Sequence, residues 1–249
     1  MSKEIPFKIS SALKNLIGKE LITDEFVAVF ELVKNSFDAN AKNVEVIFEN
    51  QTDHKKGKII IKDDGNGMSE GDLINKWLFV AYSAKKDGTE NKDYRDKIKV
   101  NRIFAGAKGV GRFSCDRLGK HLNLVTLKKD QKAATENLKV NWEDFEIDPK
   151  KEFVNVKVSH QTLKKSNYLN KNGTILEITG IRDVWDRSKL LKLKKSLAKL
   201  INPNQENDSK NFKVTIVAKS ELKDDRGTKH GWEKVNGLII IANFLSPSG

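Results

Sequence analysis

The stretch "ELVKNSFDANA" (residues 31–41) places three polar side chains on a segment whose other residues are mostly apolar. Glu31, Asn35 and Asp38 stand four and then three residues apart. At about 100° per residue in an α-helix, these side chains fall within roughly 60° of one another. That spacing alone is compatible with a solvated helix face. The rest of the sequence therefore decides whether the three groups form a site.

The helix that carries this stretch is predicted to start at Thr23, because two acids follow that residue and favour the positive end of a helix dipole. Its larger apolar residues recur at helical spacing and predict one buried stripe on the side away from the polar groups. They are Phe26, Phe30, Val33 and Phe37.

Composition is that of a globular protein. The 249 residues are 38% hydrophobic and 32% charged, which allows a substantial core beneath a highly charged surface. No apolar run reaches the roughly 18 residues of a membrane span, and the N-terminal stretch lacks the apolar core of a signal peptide. The single cysteine, Cys115, can form no internal disulfide. We therefore expect a cytoplasmic protein without a membrane partner.

The formal net charge of +12 permits an acidic partner, either nucleic acid or nucleotide phosphates. The lysines are spread along the chain rather than gathered in one tract. In the amphipathic helix predicted at 188–201 they lie opposite a leucine stripe, which is typical of a solvated face. With four histidines and one cysteine, a structural zinc site is not expected.

The remaining segments predict a mixed sheet with interspersed helices. A short helix is expected at 70–79, and residues 82–108 predict a long polar loop of the kind that forms lids. "NLKVNWEDF" and "EFVNVKVSH" alternate like an antiparallel pair. Further strands are predicted at 44–50, 57–63, 121–127 and 173–180, and in "FKVTIVA" and "GLIIIANFL".

Two glycine-bearing stretches stand next to predicted strands or helices. In "IIIKDDGNGMS" a β-branched strand leads to Asp63, and the glycines after it allow a tight turn and close approach to a ligand. In "GAKGVGRFS" (106–114) glycines precede a helix, where backbone N–H groups are suited to bind phosphate. Lys108 and Arg112 add positive charge there. The P-loop, the G-x-G-x-x-G fingerprint and the catalytic loop of ordinary protein kinases are all absent.

The order of these motifs resembles that of the GHKL superfamily, which includes gyrase B, the ninety-kilodalton heat-shock chaperone, histidine kinases and MutL. "ELVKNSFDANA" resembles the N box, E-x-x-x-N-x-x-D-A, and "DDGNGM" the first glycine box, D-x-G-x-G-M. "GAKGVGRFS" resembles the second glycine box and "NGTILEI" the final Gly-Thr box, all in the expected order. The resemblance implies a Bergerat-type α+β sandwich, in which a mixed, mostly antiparallel sheet carries helices on one face and binds ATP under a lid.

Carried over to this sequence, the resemblance implies that Asp63 accepts a hydrogen bond from the adenine amino group. Met68 would pack on the base, Thr174 would support the Asp63 end, and Asp38 would line the pocket. Asn35 would coordinate Mg²⁺. The other residues implied at the ATP site are Gly65, Gly67, Lys85, Lys108, Gly109, Val110, Gly111, Arg112 and Phe113.

Glu31 marks the hydrolysing branch of the superfamily in this resemblance. Its carboxylate, on the same helix face as Asn35, can orient and deprotonate a water aimed at the γ-phosphate. Histidine kinases usually lack that acid, and the residues before this helix are too few for the helical pair that carries their acceptor histidine. We therefore expect a Mg²⁺-dependent ATPase.

Three segments are expected: an N-terminal arm at 1–20, the ATP-binding domain at 21–201, and strands at 202–249 that belong to its edge or to a following domain. We expect the N-terminal part of a longer protein, in which ATP closes the lid and drives homodimerisation through the N-terminal region. Three alternatives stay open: a nucleotide-sensing module without turnover, a phosphotransferase acting on a partner, and a nucleic-acid clamp.

Overall fold

The computed structural model describes residues 8–16, 22, 24–80, 111–130, 134–164, 171–198, 212–218 and 238–242. Within these ranges the backbone forms one eight-stranded sheet. The strands are β1 Asn43–Glu49, β2 Lys58–Asp63, β3 Gly119–Leu127, β4 Thr135–Asn141, β5 Ser159–Leu163, β6 Gly173–Ile181, β7 Lys213–Ala218 and β8 Leu238–Ala242.

The strand order is β5-β4-β3-β6-β2-β1-β7-β8. Neighbouring strands pair antiparallel except β1 and β7, which run parallel. Both strands from the C-terminal segment extend the same sheet beside β1. These pairings confirm the predicted α+β class with a mixed, mostly antiparallel sheet.

The helices pack on one face of this sheet and share one core with its inward-facing side chains. The predicted helix at 70–79 is a single α-turn that continues as a π-helix. The predicted glycine turn before a helix is a 3₁₀ turn at Gly111–Phe113. The helices are α1 Leu13–Asn15, α2 Glu25–Asp38, α3 Glu70–Asp72 with the π-helix Leu73–Trp77, α4 Ser114–Leu118 and α5 Arg187–Ala198.

Helix α2 buries Val33 of the predicted stripe fully, whereas the three phenylalanines of that stripe are only partly buried against the core. The side chain of Asp24 caps its first turn, while Thr23 lies outside the described residues. The side chains in contact with the sheet are smaller, which lets the helix axis lie close to the strands; they are Ala28, Val29, Leu32 and Val33, each at most 2% exposed. The phenylalanines flank this face, and Phe26 stacks edge-on against Trp185.

The prediction that "EFVNVKVSH" is a continuous strand is wrong. Phe153–Asn155 forms a 3₁₀ turn and β5 begins only at Ser159. The N-terminal segment explains the difference, because the Phe153 N–H donates to the Ile9 carbonyl and Ser10 bridges to Glu152. The backbone of this segment is therefore paired with the N-terminal segment rather than with β4.

The described part of the predicted arm lies against the domain of its own chain. Lys14 is fully buried, with Nζ 3.2 Å from Asp116 Oδ2 and paired also with Glu146. Arg182 makes a second ion pair with Asp116. A buried ion network of this kind requires every partner, because removing one leaves an uncompensated charge.

Gly173→Ala is expected to destabilise the fold by about 3 kcal/mol. Gly173 has φ +143°, and an added Cβ would stand 2.1 Å from the carbonyl oxygen of Asp63 on the adjacent strand. Gly71→Ala is the matched control, because only Ser69 Oγ lies within 4.0 Å of a Cβ there. Urea unfolding should separate the two variants, and equal free energies of unfolding would contradict the close β2–β6 approach.

Candidate functional site

One end of the site is built around Asp63, the last residue of β2. Ser36 Oγ donates to Asp63 Oδ2 at 2.9 Å, and the Gly65 and Thr174 N–H groups donate to Oδ1 at 2.9 and 3.2 Å. Burial raises the pKa of the Asp63 carboxyl, and these three hydrogen bonds oppose that rise. The Asp63 carboxylate therefore accepts hydrogen bonds from residues of the N box, the first glycine box and the Gly-Thr box.

The loop after Asp63 fits between the end of α2 and the end of β3. The Asn66 N–H donates to the Ala39 carbonyl at 2.7 Å, and the Asn66 carbonyl accepts from Lys129 N–H. Gly67 has φ +63°, and a Cβ there would lie 2.0 Å from the Leu127 carbonyl oxygen. Glycine is required at this position because the backbones touch.

Two hydroxyl residues of this end, Ser36 and Thr126, were missed by the sequence analysis. Thr126 is fully buried on β3 and accepts from the Met68 N–H at 2.9 Å. Its Oγ1 also lies 3.1 Å from Thr174 Oγ1. Ser36 could have been found from its place beside Asn35 in the N box. Thr126 could be found only from the strand register, in which it stands opposite Thr174.

At the other end, the structure brings Glu31, Asn35 and Gly111 together. A Cβ added to Gly111 would lie 3.3 Å from Asn35 Nδ2 and 3.8 Å from Glu31 Oε2. Asn35 is exposed, and Lys34 Nζ lies 3.4 Å from Glu31 Oε1. The N box and the second glycine box therefore meet, although they are far apart in the sequence.

Arg112 and Phe113 follow Gly111, but their side chains contact other parts of the protein. Arg112 Nη1 donates to the carbonyls of Lys76 at 2.7 Å and Phe79 at 3.2 Å, and to that of Trp77. Burial lowers the pKa of Arg112 to about 10. The ring of Phe113 is 2% exposed and belongs to the core. A contact between either side chain and a nucleotide stays a prediction.

Several predicted site residues lie outside the described residues: Lys85, Lys108, Gly109 and Val110. Asp38 is described and is 5% exposed at the C-terminal end of α2. Across the described ranges, no group of three or more His, Cys, Asp or Glu residues is arranged to hold a metal ion. The same ranges contain no helix with the length and apolar character of a bilayer span.

A separate cavity of about 400 Å³ lies on the sheet face opposite α2, between β4 and β6. Its wall includes His121, Asn123, Lys139 and Thr179, which alternate with core residues along their strands. It contains none of the motif residues. The geometry that unites the four motifs is therefore on the helix-covered side.

On the prediction that this turn belongs to a nucleotide site, Gly111→Ala is expected to weaken nucleotide binding about tenfold with little change in stability. The new methyl group would press on the Asn35 amide, and the Asn35 side chain is exposed and free to move aside. Gly71→Ala again serves as the control. Wild-type nucleotide affinity in folded Gly111→Ala would contradict the assignment of this turn to the site.

Comparison with known proteins fits this geometry. A family model described as "Histidine kinase-, DNA gyrase B-, and HSP90-like ATPase" matches residues 23–174. The chain belongs to this family. The matched region runs from the start of α2 to the Gly-Thr box on β6, and so contains both ends of the site.

Two relatives of this ATPase family are similar to parts of the chain. A chaperone protein HtpG from Buchnera aphidicola subsp. Schizaphis graminum is 27% identical over an alignment of 161 residues, with coverage of 57% of this chain and 25% of that protein. A mitochondrial TNF receptor-associated protein 1 homolog from Dictyostelium discoideum is 26% identical over an alignment of 143 residues, with coverage of 51% of this chain and 20% of that protein. The similarity thus spans a quarter or less of these relatives.

Proposed function

We propose that this chain binds ATP with Mg²⁺ and hydrolyses it. The observation that carries the proposal is the position of Gly111, where an added Cβ would lie within 4 Å of Asn35 and Glu31, on the same helix that presents Ser36 to Asp63. One helix thereby links an acceptor for the base to an acid and an amide for the phosphates. Membership of the GHKL family supports the same assignment.

The groups at the Asp63 end suit adenine. The Asp63 carboxylate is an acceptor that three protein donors already orient, and the adenine amino group is a donor. Met68 packs against the core beside it and offers an apolar contact for the ring. A base with a carbonyl in place of the amino group would set an oxygen against the carboxylate.

The groups at the Gly111 end suit phosphate and a hard cation. Asn35 and Glu31 present oxygen atoms, which Mg²⁺ prefers, and Asn35 is the residue that would hold the ion. Bound there, Mg²⁺ would neutralise charge on the phosphates. The Gly111 backbone approaches these side chains without a Cβ in the way.

In the proposed reaction, Glu31 accepts a proton from a water that attacks the γ-phosphorus. A bond forms from the water oxygen to phosphorus, the bond to the β–γ bridging oxygen breaks, and ADP leaves. Lys34 Nζ lies 3.4 Å from Glu31 Oε1 and pairs with its carboxylate. Proton transfer by a positioned side chain contributes about 10²–10⁴-fold to rate.

Radiolabelled ATP distinguishes this proposal from its competitors. With label at the γ-position, hydrolysis releases free phosphate, whereas a phosphotransferase leaves label on a protein. Tight binding without release at any protein concentration would identify a sensing module and overturn the hydrolysis proposal. Binding to nucleic acid would instead fall steeply with salt.

Lid closure, homodimerisation through the N-terminal region and a cytoplasmic location are further parts of the proposal. The buried Lys14 shows what dimer exchange of residues 8–16 would have to break, since Asp116 and Glu146 would lose a partner. Sedimentation with and without a nonhydrolysable ATP analogue tests the dimer. A monomer under both conditions would contradict the proposed homodimerisation.

A further inference from the structure

A polar row crosses five strands of the sheet at the base end of the site. In the strand register Asp63 stands opposite Thr174, Thr174 opposite Thr126, Thr126 opposite Glu136, and Glu136 opposite Thr162. Side chains of one row lie on the same sheet face. The central member, Thr126, is fully buried, whereas Thr174 is partly exposed.

The hydroxyl of Thr126 has two possible hydrogen-bond acceptors beside it but only one proton to donate. It accepts from the Met68 N–H at 2.9 Å, and it lies 3.1 Å from both the Gly173 carbonyl oxygen and Thr174 Oγ1. A threonine hydroxyl has one proton to donate and two lone pairs to accept with. Two arrangements follow, and they differ in the direction of the Thr126–Thr174 hydrogen bond.

In the first arrangement Thr126 donates to Thr174, and the Thr174 proton is left to point into the site. In the second, Thr126 donates to the Gly173 carbonyl and receives the Thr174 proton. Thr174 then offers only lone pairs to a ligand. The direction of the Thr126–Thr174 hydrogen bond therefore decides whether Thr174 offers a proton or a lone pair beside Asp63.

We infer that Thr126 is a positioning residue that sets the purine preference of the site, an inference that rests on the proposed adenine binding at Asp63. Adenine presents its amino group as donor and the adjacent ring nitrogen N1 as acceptor. With Asp63 taking the amino group, N1 requires a donor, which Thr174 supplies directly or through water when Thr126 donates to it. Inosine has the opposite pattern, a carbonyl and an N1–H.

The test compares the affinities of ATP and inosine triphosphate, measured by calorimetric titration with Mg²⁺. Inosine triphosphate carries a carbonyl and an N1–H where adenine has an amino group and an unprotonated N1. Thr126→Val removes the hydroxyl and keeps the branched shape. The loss of an acceptor for the Met68 N–H weakens the binding of both nucleotides. Thr174 keeps its own proton in this variant, but Thr126 no longer holds that proton toward N1, so ATP should lose about fivefold to tenfold more affinity than inosine triphosphate. Thr126→Ser should restore the wild-type ratio. If Thr126→Val fails to fold, Thr126→Ala should show the same difference between the two affinities.

Thr162→Val is the matched control, because its hydroxyl lies on the same row but donates to Glu136. It should leave the ratio of the two affinities unchanged. If Thr126→Val weakened the binding of ATP and of inosine triphosphate equally, the inference would be overturned, whereas the proposal of adenine binding would stand. Failure of the wild-type chain to bind ATP would instead overturn the proposed function itself.

Discussion

Glu31→Gln should lower the rate of phosphate release by about 10²–10⁴-fold, and we expect ATP affinity within about twofold of wild type. The amide keeps the size of the carboxylate and can still accept a hydrogen bond, but it cannot take the proton of an attacking water at neutral pH. Single-turnover release of labelled phosphate gives the rate, and calorimetric titration gives the affinity. This pairing separates loss of chemistry from loss of the pocket.

Glu45→Gln is the control for Glu31→Gln. Glu45 lies on β1, on the exposed sheet face, and pairs with Lys62 at 3.6 Å. A surface ion pair of this kind contributes at most about 1 kcal/mol to stability. The control should hydrolyse ATP at the wild-type rate. Normal turnover in Glu31→Gln would remove Glu31 as the base and reopen the question of which group activates water.

Asp63→Asn should weaken ATP binding by about 100-fold or more. The amide nitrogen of asparagine would point an N–H donor at the Ser36 hydroxyl or at the adenine amino group. Two donors would then face each other where the carboxylate of Asp63 accepts a hydrogen bond. Because burial raises the pKa of Asp63, its charge opposes folding at neutral pH. The asparagine side chain keeps the size of the carboxyl group and an oxygen that can accept from the Gly65 and Thr174 N–H groups, and urea unfolding measured beside the titration separates loss of binding from loss of fold.

Asp64→Asn is the neighbouring control. Asp64 is exposed, and its carboxylate accepts from the Lys42 and Asn43 N–H groups rather than facing Asp63's partners. We expect ATP affinity in this variant within a few-fold of the wild type. Comparable losses in both variants would mean that the loop conformation, and not the Asp63 acceptor, governs binding.

Local sequence patterns predicted the parts of the site that lie within single segments. The polar face of α2, the strand that ends at Asp63 and the glycine turn before α4 each depend on spacing along one stretch of chain. The sheet class followed from the alternation of its strands. The family resemblance then assigned roles to residues whose placement the spacing alone left open.

Contacts made between distant segments were not predictable in the same way. Thr126 enters the site only because β3 pairs with β6 in one register, and a shift of one residue would turn it to the opposite face. The buried face of α2 depends on how close the sheet lies to the helix. The N-terminal segment changes residues 152–155 through hydrogen bonds from more than a hundred residues away.

The most direct test of the central claim is a crystal structure of the chain with Mg²⁺ and a nonhydrolysable ATP analogue. The account predicts the adenine amino group within hydrogen-bond distance of Asp63, about 3 Å, and the metal ion on Asn35 beside Gly111. Nucleotide bound elsewhere, such as in the cavity near Lys139 on the opposite sheet face, would contradict it.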